Sequence, residues 1–450
     1  MTFLSIFSSL NSPRTRRLGK EGCWIILGQI ATVAGSLVLI RVLTNYLEPA
    51  QYGRLAIGLT VAGLVNQIVM GGLSNGISRF YSVAVEKQQL TSYINNSIRL
   101  LLFATLAVSA IGTLLLGGLF FWGNLEWASL ITATLIFSIL DGYNGTLNGI
   151  QNAARQRAVV AFHNGVGAWL KILLAIVAIL WLGKSSTAVV IGYALSSLLI
   201  TCSQLFFLRT TLPQHGARDN IDFKWGKKIW SFSWPFSAWG IFTWIQLSSD
   251  RWFLDVFTST QEVGLYAVLF QLGYTPIAMA TGLAMSFLGP ILYQRSGDAT
   301  DLSRNTYVHR IAWKLTASSL LLTLAAVSSS LFFHDWIFQL LVSEQYRSIS
   351  YLLPWVLLAG GIFASAQVLS VKLASEMKTL TMTWAKIITA ILGTAFNFIG
   401  AYIAGILGVV VAIVVFSAVY FTWMARLSFR TPQTPKKTED SSIYSPSHMN

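Results

Sequence analysis

The chain has 450 residues, enough for two or three soluble domains, yet only 11% of them are charged, against about 25% in ordinary globular chains. Apolar and aromatic types make up 54% and the mean hydropathy is +0.60. Too few charges remain to cover a soluble surface, so most of the chain must face lipid or other apolar helices. Soluble enzyme, nucleic-acid binder and disordered scaffold are therefore poor readings, despite a net charge of +14. A surplus of Lys and Arg in a membrane protein follows from basic cytoplasmic loops.

Residues 1–22 form an N-terminal segment in which Phe3, Ile6, Phe7 and Leu10 precede Arg14, Arg16, Arg17 and Lys20. A cleavable signal has the opposite order. The spacing fits either a short amphipathic turn on the membrane surface or a frayed cytoplasmic tail. Twelve mostly apolar stretches follow, near 23–43, 55–78, 98–120, 127–149, 159–182, 187–208, 229–252, 264–292, 311–333, 350–371, 383–402 and 404–426. Each approaches the roughly 20 residues that a helix needs to cross a bilayer core. None alternates with period two as an outer-membrane barrel strand would, so the expectation is all-α. The basic linker 209–228 separates six spans in 23–208 from six in 229–426, and 427–450 reads as a disordered tail rich in Thr, Pro, Ser and Lys.

With the N-terminus inside, 24 of the 31 Lys and Arg fall in cytoplasmic regions and 5 outside, while Lys171 and Lys314 lie within spans. This bias predicts that both termini of a multi-pass membrane protein are cytoplasmic. Cys23 and Cys202 have no CxxC company, and no disulfide is expected of them.

Sliding the chain by 211 residues brings its halves into partial register: Leu43 meets Leu254, Gly53 meets Gly264, Ala56 meets Ala267 and Gly71 meets Gly282. Six spans per half make this a parallel repeat about an axis along the membrane normal. The stretches "LGQIATVAGSLVLIRVLTNYLEPAQYGRLAIG", "GGLSNGISRFY" and "SSDRWFLDVFTSTQEVGLYAV" resemble the polysaccharide-transporter branch of the multidrug/oligosaccharidyl-lipid/polysaccharide exporter superfamily. That resemblance implies a V-shaped transporter of two six-helix lobes around a central cavity, lined mostly by spans 1, 2, 7 and 8. It also implies a flippase for undecaprenyl-diphosphate-linked oligosaccharide in O-antigen, capsule or exopolysaccharide synthesis. Such a protein needs no cofactor; its partners would be the lipid-linked substrate, membrane lipids and polymerase or assembly proteins, and a monomer is expected.

Polar residues in the spans are the candidate site. Gln29, Thr32 and Ser36 share one face of span 1, and Thr243, Gln246 and Asp250 share one face of span 7. Span 2 carries Asn66 and Gln67, and span 8 carries Gln271. Polar side chains in hydrocarbon need a partner or water, so such stripes face either neighbouring helices or a wet cavity. Span 4 has a similar stripe in Ser138, Asp141, Gly145 and Asn148. Lys171 lies near mid-membrane, on a face with Asn164, Gly167 and Ala168. It reads either as a cation for an anionic lipid diphosphate or sugar acid, or as half of a structural ion pair with Asp141.

Arg79 in "GISRFY" matches a basic position common in the family and would sit at the cytoplasmic mouth, as a substrate contact or a topology anchor. Asp250 and Arg251 match the family's Asp-Arg at the end of span 7. With Arg41 in the equivalent place of the other half, the arginines read as outer-gate residues or as interfacial solvation. The pairs Gly72/Gly76 and Gly145/Gly149 read as close helix packing. No catalytic motif or metal cluster emerges. Gly183-Lys184-Ser185 lacks the first glycine of a P-loop, since position 178 is Ala, and the five His are scattered. The leading expectation is an alternating-access flippase. The alternative, a cation-coupled small-molecule exporter of the same superfamily, would prefer acidic cavity residues.

Overall fold

The computed structural model describes residues 13–121, 123–211, 224–296, 301–376 and 379–429. The expected N-terminal turn at 3–10, linker residues 212–223 and the tail beyond 429 lie outside the described residues. Among the described residues the regular structure is helical: α1 (Pro13–Tyr46), α2 (Pro49–Glu86), α3 (Leu90–Phe121), α4 (Leu125–Ala153), α5 (Arg157–Leu182) and α6 (Ser186–Thr211). These are followed by α7 (Lys224–Phe257), α8 (Thr260–Ser296), α9 (Leu302–Leu341), α10 (Leu353–Ser375) and α11 (Thr379–Phe429).

Ten of these helices are long and apolar enough to cross a membrane. The exception, α7, is 34 residues long but rich in Trp, whose indole N–H lowers its hydropathy. Two of those N–H groups are spent on α2: Trp244 donates to the Thr60 carbonyl at 2.6 Å and Trp252 to the Thr60 hydroxyl at 2.9 Å. At 1.5 Å per residue, the 51 residues of α11 would span about 77 Å if straight, more than twice a bilayer core. The helix instead breaks at Ala404 and Gly405, where Gly405 takes a φ of 55°, an angle that glycine adopts without penalty. The break falls where the sequence separates its last two spans.

The chain divides into two compact units, one of Met1–Leu272, Phe332–Leu353 and Gly393–Ala412, the other of Gly273–Leu331, Pro354–Leu392 and Ile413–Asn450. In the first unit α1 packs on α5, α4 and α5 on α6, and α2 on both α4 and α7. The α2–α7 contact is close because Gly72 and Gly76 face Ser237 and Ser233. Beside it, Ile77, Tyr93, Trp225 and Ile229 form a buried cluster. The sequence repeat has a physical counterpart here. A Cβ on Gly53 would meet the Thr260 carbonyl and stand 3.0 Å from the Gly264 nitrogen. A Cβ on Gly264 would meet the Pro49 carbonyl and stand 2.9 Å from the Gly53 nitrogen. Pro49 and Thr260, like Gly53 and Gly264, are 211 positions apart. The contact is reciprocal, and it leaves no room for a side chain at either glycine.

The second unit is held by aromatic and polar ties among α9, α10 and α11. Trp313 stacks on Phe429 at 4.2 Å and Phe363 on Tyr420 at 5.2 Å. Lys372 is fully buried in α10. Its ammonium donates to the Ser428 carbonyl at 2.8 Å and lies 3.1 Å from Glu376.

Candidate functional site

A polar pocket of about 390 Å³ lies within the first unit, walled by α1, α4, α5 and α6. Gly28 and Gly35 let α1 lie directly on Ala161 and Ala168 of α5, which brings Gln29, Thr32 and Ser36 to one wall. Opposite stand Asp141, Asn144 and Asn148 of α4, Asn164 and Lys171 of α5, and Ser196 and Ser197 of α6. Gly145 also faces the pocket, with open space where a Cβ would be.

The amides are fixed in place by one another. Gln204 donates to Asn148 at 2.8 Å, and Asn148 donates to Asn164 at 2.9 Å. Thr201 donates to the Asn144 oxygen at 2.8 Å, while Asn144 donates to the Ser197 carbonyl at 3.1 Å. Such bonds set rotamers in advance of any ligand, which lowers the ordering cost of binding. The hydroxyls of Thr32 and Ser36 turn back onto carbonyls of their own helix and keep lone pairs to offer.

The charged centre is the Lys171–Asp141 pair, with nitrogen and oxygen 3.3 Å apart and the side chains 31% and 35% exposed. Lys171 also lies over the Phe137 ring at 5.1 Å. The other carboxylate oxygen of Asp141 accepts from Asn66 Nδ2 at 3.3 Å. Asn66 opens a π-helical turn, Asn66–Met70, inside α2; inserted π turns recur at functional positions. Thus Gln29, Thr32, Lys171 and, through Asp141, Asn66 are brought together.

The remaining candidates are placed elsewhere. The backbone carbonyl of Gln67 faces Gly240 of α7. Thr243 bonds to the Trp239 carbonyl of its own helix, and Gln246 is half-buried on α7. Gln271 accepts from the Tyr52 hydroxyl across α2 and α8. Asp250 is buried, accepting from Tyr266 at 2.6 Å and from the Arg251 backbone at 2.8 Å. The Arg251 guanidinium sits over Phe270, and Arg41 donates to the Gln339 and Val342 carbonyls at the end of α9. Arg79 is exposed on α2. Sequence reasoning did not include Asn144, Gln204, Ser196 or Ser197 in the site. Asn144 and Asn148 are separated by one helical turn on α4, so that spacing was the available signal.

A larger groove of about 690 Å³ lies on the other face of α1 and α5, lined by residues such as Trp24, Leu27, Phe162 and Trp169. Its walls offer almost no hydrogen-bonding groups, so the polar pocket is the candidate for recognition.

The family model described as "polysaccharide biosynthesis protein" matches residues 18–296, more than half of the chain. The chain belongs to that family. No curated protein matches it in sequence. Among solved structures it is similar to an inward-facing multidrug resistance MATE family transporter of the MOP superfamily, with TM-score 0.66, 15% identity, and 90% and 98% of the two chains covered. It is similar to the lipid II flippase MurJ in an inward closed conformation, with TM-score 0.67, 12% identity, and 90% and 87% covered. It is also similar to a MOP superfamily transporter from Pyrococcus furiosus described by the reverse polarity of its binding pocket, with TM-score 0.58, 14% identity, and 91% and 96% covered. The family member described here is therefore a multi-pass membrane protein with the fold of these transporters.

Proposed function

We propose that this protein flips a lipid-linked oligosaccharide, carried on undecaprenyl diphosphate, across a bacterial inner membrane by alternating access of its two six-helix halves. The observation that carries the reading is the composition of the polar pocket. Side-chain amides and hydroxyls in fixed rotamers suit the many donors and acceptors of a sugar. Lys171 balances Asp141, so the pocket has no excess negative charge to attract a cationic drug, which is what the alternative exporter would need. Its volume lies within the range of about 300–1,000 Å³ typical of ligand sites. It has room for part of a glycan, with the prenyl chain left in the bilayer. Gln67, Thr243, Gln246, Asp250 and Gln271 would border the wider passage, Arg79 its cytoplasmic mouth, and Arg41 and Arg251 its outer end.

The test is a flipping assay in vesicles holding the purified protein and a fluorescent undecaprenyl-diphosphate oligosaccharide, with leaflet exposure read by an added glycosidase. The expected result is protein-dependent exposure of the glycan, reduced at least tenfold by Asn148→Leu. No flipping of any saccharide lipid, together with gradient-driven uptake of a cationic dye, would favour the exporter instead.

A further inference from the structure

We propose that Lys171 and Asp141 form an exchangeable counter-ion site, in which one anionic group of the transported molecule takes Lys171 while Asn66 retains Asp141. The group is a phosphate or a sugar carboxylate, and the inference rests on the flippase reading above. Charge-assisted N–H···O bonds usually measure about 2.7–2.9 Å. Asp141 instead holds Lys171 and Asn66 at 3.3 Å each, one on either oxygen. Both charged side chains remain about one-third open to the pocket. The carboxylate is thus shared between two partners and fully engaged by neither.

The ammonium has donors to spare. It carries three N–H groups, and its contact with the Phe137 ring occupies the face of the cation without a conventional acceptor. The resident carboxylate keeps the empty pocket neutral, in a pair that is open to the pocket and therefore costs little to part. An incoming anion can replace it only if the carboxylate has somewhere to go. Asn66 supplies that place. Its Oδ1 is buried against Gly142, its Nδ2 points at Asp141, and the π turn fixes its position on α2. In this arrangement Asp141 is a built-in competitor of the substrate, and Asn66 sets how strongly it competes.

The experiment is calorimetric titration of the full-length protein in lipid nanodiscs with inorganic pyrophosphate, free glucuronate and, as the neutral control, glucose. Asp141→Asn is expected to tighten anion binding about tenfold by removing the competitor. Asn66→Leu is expected to weaken it several-fold, because Asp141 falls back onto Lys171, and to have no further effect in the Asp141→Asn background. Lys171→Gln is expected to erase the preference for glucuronate over glucose. A response to pyrophosphate alone assigns the lipid phosphate, one to glucuronate alone a sugar acid, and one to both a general anion site. Each supports the exchange.

Binding of neither anion, weaker anion binding in a stable Asp141→Asn protein, or additive effects of the two substitutions would overturn it. Should Asp141→Asn not fold, the sign of the Asn66→Leu effect decides alone: unchanged or tighter binding overturns the exchange. The flipping assay separates this failure from that of the flippase reading. A protein that still flips saccharide lipids while these titrations fail keeps its function and loses the counter-ion site.

Discussion

Two aspartates within the long helices show how differently the same chemistry can be used. Asp250 on α7 has a side chain only 4% exposed, and short bonds from the Tyr266 hydroxyl and the Arg251 backbone occupy its oxygens. Asp141 on α4 is 35% exposed, makes only long contacts and borders an open pocket. Both stand on polar stripes and both have a cation nearby. The first fastens α7 to α8, and the second is left available. What separates a staple from a site here is satisfaction and access, not residue type.

The largest expected effect breaks the staple. Asp250→Ala removes the buried carboxylate that accepts from the Tyr266 hydroxyl and the Arg251 backbone and should cost about 2–3 kcal/mol, seen as a lowered unfolding temperature of the purified protein. Tyr266→Phe alone should lose part of the same stability, and the two losses should not add, because both remove one bond. Gln204→Leu, in the wall behind the pocket, removes one buried amide bond to Asn148 and should cost about 1 kcal/mol, with saccharide affinity falling as Asn148 loses its orientation. Asp141→Ala should cost under about 1 kcal/mol, in keeping with a partly solvated pair, yet change transport. A loss as large as that of Asp250→Ala would erase the distinction between the two carboxylates. The smallest effect is expected at exposed Arg79, where Arg79→Ala should shift stability by no more than about 0.5 kcal/mol. Any lowering of glycan export by that variant measures its role at the mouth of the passage.

Much of this arrangement was legible in the sequence. Hydropathy and length place the helices, and the boundary near 402–404 marks the break in α11 because Ala-Gly interrupts an otherwise continuous apolar run. The 211-residue repeat anticipates the reciprocal contact of Gly53 and Gly264. The side-chain spacing on α5 also shows that Lys171 shares a small, polar face with Asn164, and Asp141 was its nearest intramembrane acid. The helices that share the pocket were not legible. A spacing of i, i+3 and i+7 shows which side of one helix is polar, but not which neighbour that side meets. Thus Gln271 reads as a cavity residue although its carbonyl is taken by Tyr52, while Asn144 and Gln204 go unnoticed although they set the pocket wall. The π turn at Asn66–Met70 leaves no composition signal, because packing of α2 on α4 and α7 sustains it.

In the proposed cycle the pocket between α1, α4, α5 and α6 receives the saccharide. That step is tested most directly by photo-crosslinking a lipid-linked oligosaccharide, with a diazirine on its sugar, to the protein in vesicles, followed by peptide mapping. Label is expected on α4 and α5 between Asn144 and Lys171, reduced by excess unlabelled substrate and by Asn148→Leu. Specific, competed label confined to α7 and α8 around Gln246 and Asp250, with none on α4 or α5, would contradict it.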